Sequence, residues 1–249
     1  MTPDDPFEAP RPINFPPLFD GQAVEGAVDP FEKACALATL GCDSGLLVHN
    51  VSADCLRAAI VFAPEVPLEQ AMSVMCACGV GFQNALGALA PPEVAVHLGW
   101  QGDLLVNGGL AGRIQAAAAT DDPRAEPDWL VIGISVDLIP PSNEAPGIHP
   151  DQTALYLEGC GDIVPARLLE SWARHSLVWI NRLMEDGNQA LHAEWRGLVR
   201  GMGDAITMPY RGEILNGTFL GVDEDFGMLI RDGDITHLVP LSSQLESRS

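Results

Sequence analysis

The sequence predicts an α+β protein that ends in a small β domain. Residues 68–89 and 163–186 carry apolar side chains at the three- and four-residue spacing of helices. Between them, Asn107-Gly108 is a strong signal for the turn of a β-hairpin. After Gly203 the chain consists of short strand-like runs separated by glycine turns. Helices grouped apart from strands in this way are typical of the α+β class.

The other elements follow from local signals. Residues 1–20 are acidic and rich in proline, which predicts an extended arm. A short helix is expected over residues 30–39, with Asp29 as its N-cap, and Asp162 is the expected N-cap of the helix over residues 163–186. The predicted strands cover residues 46–48, 56–63, 94–100, 103–106, 110–118 and 129–138, and then 206–208, 213–222, 226–231 and 235–240.

These elements divide the chain into three parts. We predict an arm over residues 1–20, an α+β domain over 21–203 and a β domain over 204–249. A Pro-rich loop over residues 140–150 has a length that often covers a site.

Composition excludes several classes of protein. Of 249 residues, 47% are hydrophobic and 19% charged, which allows a sizeable core and excludes wholesale disorder. The formal net charge of -21 excludes sequence-independent binding to nucleic acids or anionic membrane surfaces. No apolar run approaches the roughly 20 residues of a membrane span, and the acidic N-terminus is unlike a signal peptide. We therefore predict a cytoplasmic protein.

Six cysteines lack the spacing of a zinc site or a redox pair, so we expect reduced, mostly buried thiols and no metal site.

Four stretches, in this order, resemble the biotin/lipoate protein ligase family. The most specific covers residues 100–114, WQGDLLVNGGLAGRI, where the family has Lys-Trp-Pro-Asn-Asp-Leu, a short turn and Lys-Leu-Ala-Gly-Ile. The others are residues 60–62 with the helix that follows, residues 132–136, and residues 217–241, which resemble the SH3-like C-terminal barrel of the ligases. The resemblance covers residues 14–241. It implies a mixed sheet with helices packed on one side, followed by an SH3-like barrel.

The resemblance also implies a site at the hairpin. Asp103 matches an aspartate of the family, and Arg113 is the cation nearest to the hairpin, so these two are the candidate catalytic residues. The candidate substrate-binding residues are Trp100, Gly109, Leu110, Ala111, Gly112 and Gly133. The implied ligands are biotin or lipoate, ATP and Mg²⁺. The implied partner is a carrier domain whose lysine accepts the acyl group.

Two cationic features of the family are missing. The lysine before Leu-Ala-Gly is replaced by Gly109, and Lys33 is the only lysine in the chain. The arginine-rich loop of the family is expected near residues 43–50, which contain no arginine. Activating a carboxylate with ATP brings anions together, and losing one fixed positive charge commonly costs ~10²–10³ in rate.

Three functions therefore stay open: a divergent ligase or acyltransferase, a non-catalytic relative that binds an acyl ligand or carrier domain, and a structural protein with a filled pocket. A cavity walled by Trp100 and Gly112 would favour the first two, and a closed core there would contradict both. Arg113 is either an anion clamp or a solvent-facing or ion-paired residue. A thioester route would use Cys42 or Cys160, whose acidic neighbours raise a thiol pKa, and His97 is a further candidate.

Overall fold

A computed structural model describes residues 12–140, 151–210 and 212–246. The predicted α+β class is confirmed, with a seven-stranded mixed sheet and a separate four-stranded antiparallel sheet. The strands of the first sheet are β1 (Asp20–Ala23), β2 (Leu46–Val51), β3 (Cys55–Phe62), β4 (Val96–Leu98), β5 (Asp103–Val106), β6 (Gly109–Ala118) and β7 (Leu130–Asp137). The helices are α1 (Pro30–Thr39), α2 (Leu68–Ala71), α3 (Ser73–Leu89), α4 (Pro165–Asp186) and α5 (Asn188–Leu198). The second sheet contains β8 (Ala205–Tyr210), β9 (Glu213–Val222), β10 (Met228–Asp232) and β11 (Ile235–Val239).

The first sheet has the strand order β1-β2-β3-β7-β6-β5-β4. Only β1 and β2 pair in parallel among these neighbours, and every other adjacent pair is antiparallel. Helices α3, α4 and α5 pack on one face of this sheet and share its main core. We call this face the packed face.

The expectation that helices lie on one side only is wrong, because α1 lies on the opposite face. Phe31, Ala34 and Ala38 form the buried side of α1 and make a second, smaller core with residues of β2, β3 and β7. Because α1 has only ten residues, it covers part of this second face. The second face is called the α1 face below.

The helix expected over residues 68–89 is divided at Met72 into α2 and α3. Gly81 lets α3 approach α4 closely, because a Cβ atom there would lie 2.5 Å from Ser176 Oγ. Within the described residues, Leu68–Leu89 is the one segment long and apolar enough to cross a membrane, but 67% of its apolar window is buried in the protein. It therefore has the burial of a core helix.

The two predicted N-caps have different outcomes. Asp29 caps α1 as expected, since its carboxylate accepts hydrogen bonds from the backbone N–H groups of Phe31 at 2.8 Å and Glu32 at 3.3 Å. Asp162 does not cap α4, which begins at Pro165 with Val164 as the N-cap residue. The prediction was wrong because Pro165 fixes the first helical position and disfavours helical backbone at Val164.

The predicted C-terminal strands form a separate antiparallel sheet with the strand order β11-β10-β9-β8, and the predicted domain boundary at residue 204 stays a prediction. The closure of this sheet into an SH3-like barrel stays a prediction. Phe226, which is fully buried, attaches this sheet to the first domain: its ring packs edge-on against Trp195, and its carbonyl accepts a hydrogen bond from Trp100 Nε1 at 2.7 Å. Beyond β11, Glu246 N donates to Ala116 O of β6.

The described part of the predicted arm lies against the first domain. Phe19 is buried in the main core, and the Phe15 ring lies 5.4 Å from that of His49. Asn14 N donates to Glu170 Oε1 at 2.8 Å. Residues 1–11, and all of the predicted loop except Pro140, lie outside the described residues.

Candidate functional site

A row of polar residues crosses the α1 face. Asn50, Arg57, Ser135, Arg113 and Asp103 lie directly opposite one another on β2, β3, β7, β6 and β5. Directly opposed residues of an antiparallel sheet point to the same face. Their sequence neighbours are buried in the main core on the packed face. The five residues, called the polar row below, therefore point away from α3 and α4.

Arg113 and Asp103 form an ion pair at one end of the row. Arg113 Nη2 lies 3.6 Å from Asp103 Oδ1, and the two side chains are 57% and 31% exposed. At this exposure the pair contributes only about 0.2–1 kcal/mol. Of the two interpretations of Arg113, the structure gives the ion pair with Asp103, and 57% of the Arg113 side chain is exposed. Its role as an anion clamp stays a prediction.

Arg57 lies on the other side of Ser135 in the same row and is also exposed. Burial raises the pKa of Asp137, while the positive charge of Arg57 opposes that rise. The pKa of Asp54 is lowered, chiefly by a hydrogen bond from the Ser52 hydroxyl and also by Arg57. The guanidinium of Arg57 therefore lies within electrostatic reach of two carboxylates. Sequence reasoning did not select Arg57.

The N-terminal end of α1 borders the polar row. Gly133 is two residues before Ser135 on β7, and a Cβ atom there would lie 2.6 Å from the Phe31 ring. The side-chain space above Gly133 is therefore occupied by Phe31. Among the described residues, α1 does not extend over the sheet beyond this ring, and Arg57 and Arg113 of the polar row are exposed there.

Trp100 and Gly112 do not wall a common cavity in the part of the chain that the structure describes. Trp100 is 4% exposed and points towards the second sheet, where its indole N–H meets Phe226 O. A Cβ atom at Gly112 would lie 2.3 Å from Ser135 O, so this glycine permits close strand approach. The cavity beside Trp100 and Asp103 has a volume of about 20 Å³, which is room for about one water molecule.

Gly109, which the resemblance predicts to stand where the family has its lysine, is covered by the chain segment of residues 151–158. A Cβ atom at Gly109 would lie 2.8 Å from Thr153 Cγ2 and 2.9 Å from Thr153 Cβ. The Thr153 hydroxyl and the Asn107 amide both donate to the Glu158 carboxylate, which fixes Thr153 in place. The backbone of the same segment also bonds to Leu110: Leu110 N donates to Asp151 O, and Thr153 N donates to Leu110 O.

Residues 43–50, where the arginine-rich loop of the family is expected, are mostly not a loop. Residues 46–51 form β2, in which Leu47 and Val48 are fully buried, and only residues 43–45 belong to a turn. Ala111, another predicted substrate-binding residue, is also fully buried on the packed face.

The two cysteine candidates are unfavourable nucleophiles. Burial raises the pKa of Cys42 and of Cys160, and the acidic neighbours Asp43 and Glu158 raise them further. Cys42 lines a pocket of about 300 Å³ at the C-terminal end of α1, and no cation is among the residues that line it. A thiolate needs such a cation or a helix N-terminus.

His97 lies on the α1 face at the edge of the sheet, opposite Leu105. Its Nδ1 atom is buried without a hydrogen-bond partner among the described residues. Over the same residues, no group of three or more His, Cys, Asp or Glu side chains could hold a metal ion.

Comparison with known proteins identifies the family. The sequence profile of the biotin/lipoate A/B protein ligase family matches residues 15–197. The chain belongs to this family. Residues 202–247 match a separate domain of unknown function, DUF4444. A search of curated proteins found no match.

Two solved proteins are similar in structure to this chain. A biotin protein ligase-like protein of unknown function from Silicibacter sp. TM1040 is 57% identical, with a TM-score of 0.88, and the match covers 95% of this chain and 100% of that one. The biotin protein ligase of Aquifex aeolicus is 16% identical, with a TM-score of 0.73 and coverage of 93% and 100%. The same Aquifex enzyme has been solved in complex with biotin and ATP, at 14% identity and a TM-score of 0.69 over 89% of this chain and 95% of that one. The Aquifex likeness shows the shared fold.

Proposed function

We propose that this member of the ligase family binds a small carboxylic acid without activating it, on the open part of the α1 face and not at the closed core beside Trp100. The observation that carries the proposal is the covering of Gly109 by Thr153. The family places its lysine at this position, and here Thr153, held by Glu158, occupies the space where a side chain would begin. The only lysine of the chain, Lys33, lies on α1.

The charges of the face support binding over activation. Formation of an acyl-adenylate places the acid beside the phosphates of ATP, and fixed positive charge normally stabilises this transition state. Here the arginines Arg57 and Arg113 are accompanied by the carboxylates of Asp54, Asp103 and Asp137. The surrounding protein has a net charge of -21. One carboxylate of a small acid is compatible with this balance, and a triphosphate is much less so.

The residues do not fit a resident Mg²⁺ ion. Asp103, the carboxylate at the family position, is already paired with Arg113, whose charge disfavours a cation there. Mg²⁺ sites need nearly ideal octahedral oxygen coordination. Such an ion usually keeps several waters and is held by one or two carboxylates together with substrate phosphates, and Asp103, the carboxylate at the family position, is not free to serve because it pairs with Arg113.

The acids to test first are biotin, lipoate and octanoate, because family members are biotin and lipoate ligases and the Aquifex relative has been solved with biotin and ATP. A biotinyl or lipoyl carrier domain is the corresponding protein partner. The open face is the surface on which it would meet a bound acid.

A second candidate is ATP-dependent ligation, in which the acid forms an acyl-adenylate with release of pyrophosphate and the lysine amine of a carrier domain then displaces AMP. It is favoured by Asp103 and Arg113, which retain a charged pair at the hairpin and remain accessible on the open face. In this case Arg113 would stabilise the anion that forms during transfer.

Native mass spectrometry separates the two functions. The purified protein is incubated with each acid, with and without ATP and Mg²⁺. We expect a retained mass equal to the bare acid that does not depend on ATP. A retained acyl-adenylate would support the second candidate and contradict binding without activation. Absence of any bound acid would contradict both.

A further inference from the structure

We infer that Arg57 and Arg113 form a two-arginine clamp for one oxyanion group, centred above Ser135. This inference rests on the proposed function, because it names the chemical group by which the acid is held. Ser135 lies directly opposite Arg57 on one side and Arg113 on the other. Adjacent strands are ~4.8 Å apart, so the two arginine backbones are about 10 Å apart. Two long side chains from these positions can meet the same anion.

The clamp is accessible. Arg113 is 57% exposed, Arg57 is exposed, and Ser135 between them is half-buried. The Phe31 ring of α1 lies over Gly133, two residues before Ser135, so α1 does not cover the polar row. Ser135 Oγ lies 3.6 Å from Cys55 Sγ, a weak contact that leaves the hydroxyl able to donate to an anion. Arginine forks bind carboxylate and phosphate oxygens with directed, charge-assisted hydrogen bonds.

Nearby carboxylates do not already neutralise both arginines. Arg113 meets Asp103 at 3.6 Å, longer than the ~2.7–2.9 Å of a strong charge-assisted hydrogen bond. Arg57 interacts electrostatically with Asp54 and Asp137, and the described residues include no ion pair to it within 4.0 Å. Both guanidinium groups therefore keep donors available.

Apolar surface lies beside the clamp on the same face. Leu105 and Leu110 oppose each other on β5 and β6 and are half-buried, with His97 next to Leu105. Phe31 closes the other side of the row but is buried, so the apolar surface open to a ligand is that of Leu105 and Leu110. A ligand with one anionic end and an apolar body matches this arrangement. A phosphate ester would use the same clamp chemistry, so carboxylate and phosphate must be compared.

The test is NMR titration of the full chain, observing the arginine side-chain Nε–Hε signals. The probes are octanoate, its neutral analogue octanamide, and inorganic phosphate. The variants are Arg57→Gln and Arg113→Gln. The matched control is Arg231→Gln, an exposed arginine on β10 of the second sheet. We expect octanoate to shift the signals of Arg57 and Arg113 together, and octanamide to bind at least tenfold more weakly. Either clamp variant should lose affinity for octanoate about tenfold or more, while the control retains it.

The outcomes separate the clamp from the proposed function. If octanoate binds equally well to both clamp variants, the clamp is contradicted and acid binding stands. If octanoate does not bind but phosphate shifts both arginines, the clamp stands as a phosphate site and acid binding fails. If neither anion shifts Arg57 and Arg113, the clamp is contradicted. Tighter binding of octanoate than of phosphate identifies a carboxylate ligand.

Discussion

Arg57 is the only charged residue in a strand that is otherwise apolar on both faces. A strand that is buried on both faces of its sheet has a nearly continuous apolar sequence. One arginine within such a sequence therefore indicates a place where one face of the sheet is exposed to solvent. The sequence contains this signal. It does not show which face is open, because that depends on where α1 ends over the sheet. For this reason the sequence predicts the hairpin residues as part of a site and does not predict Arg57.

At the same scale, Gly109→Lys should destabilise the protein by about 1–3 kcal/mol, because its Cβ atom would overlap Thr153. Gly109→Lys combined with Thr153→Gly should recover part of that loss. Urea unfolding measures both. Gly197→Lys on α5 is the matched control, since no atom lies within 4 Å of a Cβ atom there, and it should be neutral or slightly stabilising. An equal loss in the control would show that the overlap with Thr153 is not the cause.

His49 should make stability depend on pH. It is 8% exposed, and burial lowers its pKa below the ordinary value of 6.5. As the pH falls below about 6.5, the unfolded chain takes up a proton before the folded chain does, so the free energy of unfolding decreases. One histidine contributes at most about 1.4 kcal/mol per pH unit.

Urea unfolding between pH 7.5 and 5 measures this slope. His49→Gln should flatten it, although His175, whose pKa is also lowered, retains a contribution of the same sign. His237→Gln, on β11 of the second sheet, is the matched control. An unchanged slope in His49→Gln would contradict the assignment.

At the scale of elements, the hairpin around Asn107-Gly108 and most strands could be predicted, because turn residues and alternating apolar residues are local signals. Asn107 has a positive φ of 51° and Gly108 one of 94°, as this two-residue turn requires. The side of the sheet on which each element packs is not local. Trp100 was expected beside the ligand, but it faces the second sheet, whose position depends on contacts more than a hundred residues away.

The two aspartates expected to cap helices supply a matched prediction. Asp29→Ala should destabilise the protein by about 1 kcal/mol, because two N–H groups of the first turn of α1 lose their acceptor. Asp162→Ala should change the free energy of unfolding by less than about 0.5 kcal/mol, because Asp162 does not cap α4. Thermal and urea unfolding measure both, and equal losses would contradict the assigned start of α4.

At the scale of the whole molecule, the Trp100 indole makes one of the contacts that join the two sheets. Trp100→Phe leaves the buried carbonyl of Phe226 without its donor, which should cost about 1–3 kcal/mol. The second sheet should then unfold earlier than the first, which hydrogen exchange would detect as lower protection in residues 205–239. Trp179→Phe removes an indole bond to Asn84 within the first domain and is the control. It should destabilise the protein without separating the two transitions.

The pairing of Glu246 with Ala116 has a consequence for synthesis on the ribosome. The pairing of β5 with β6 ends at Arg113. Near Ala116, the edge of β6 pairs instead with the chain segment at Leu245. The ribosome makes β6 long before it makes Leu245. During that interval the nascent sheet presents an unpaired, apolar strand edge, which is a template for aggregation. A chaperone that shields this edge until the second sheet emerges would therefore increase the yield of folded protein.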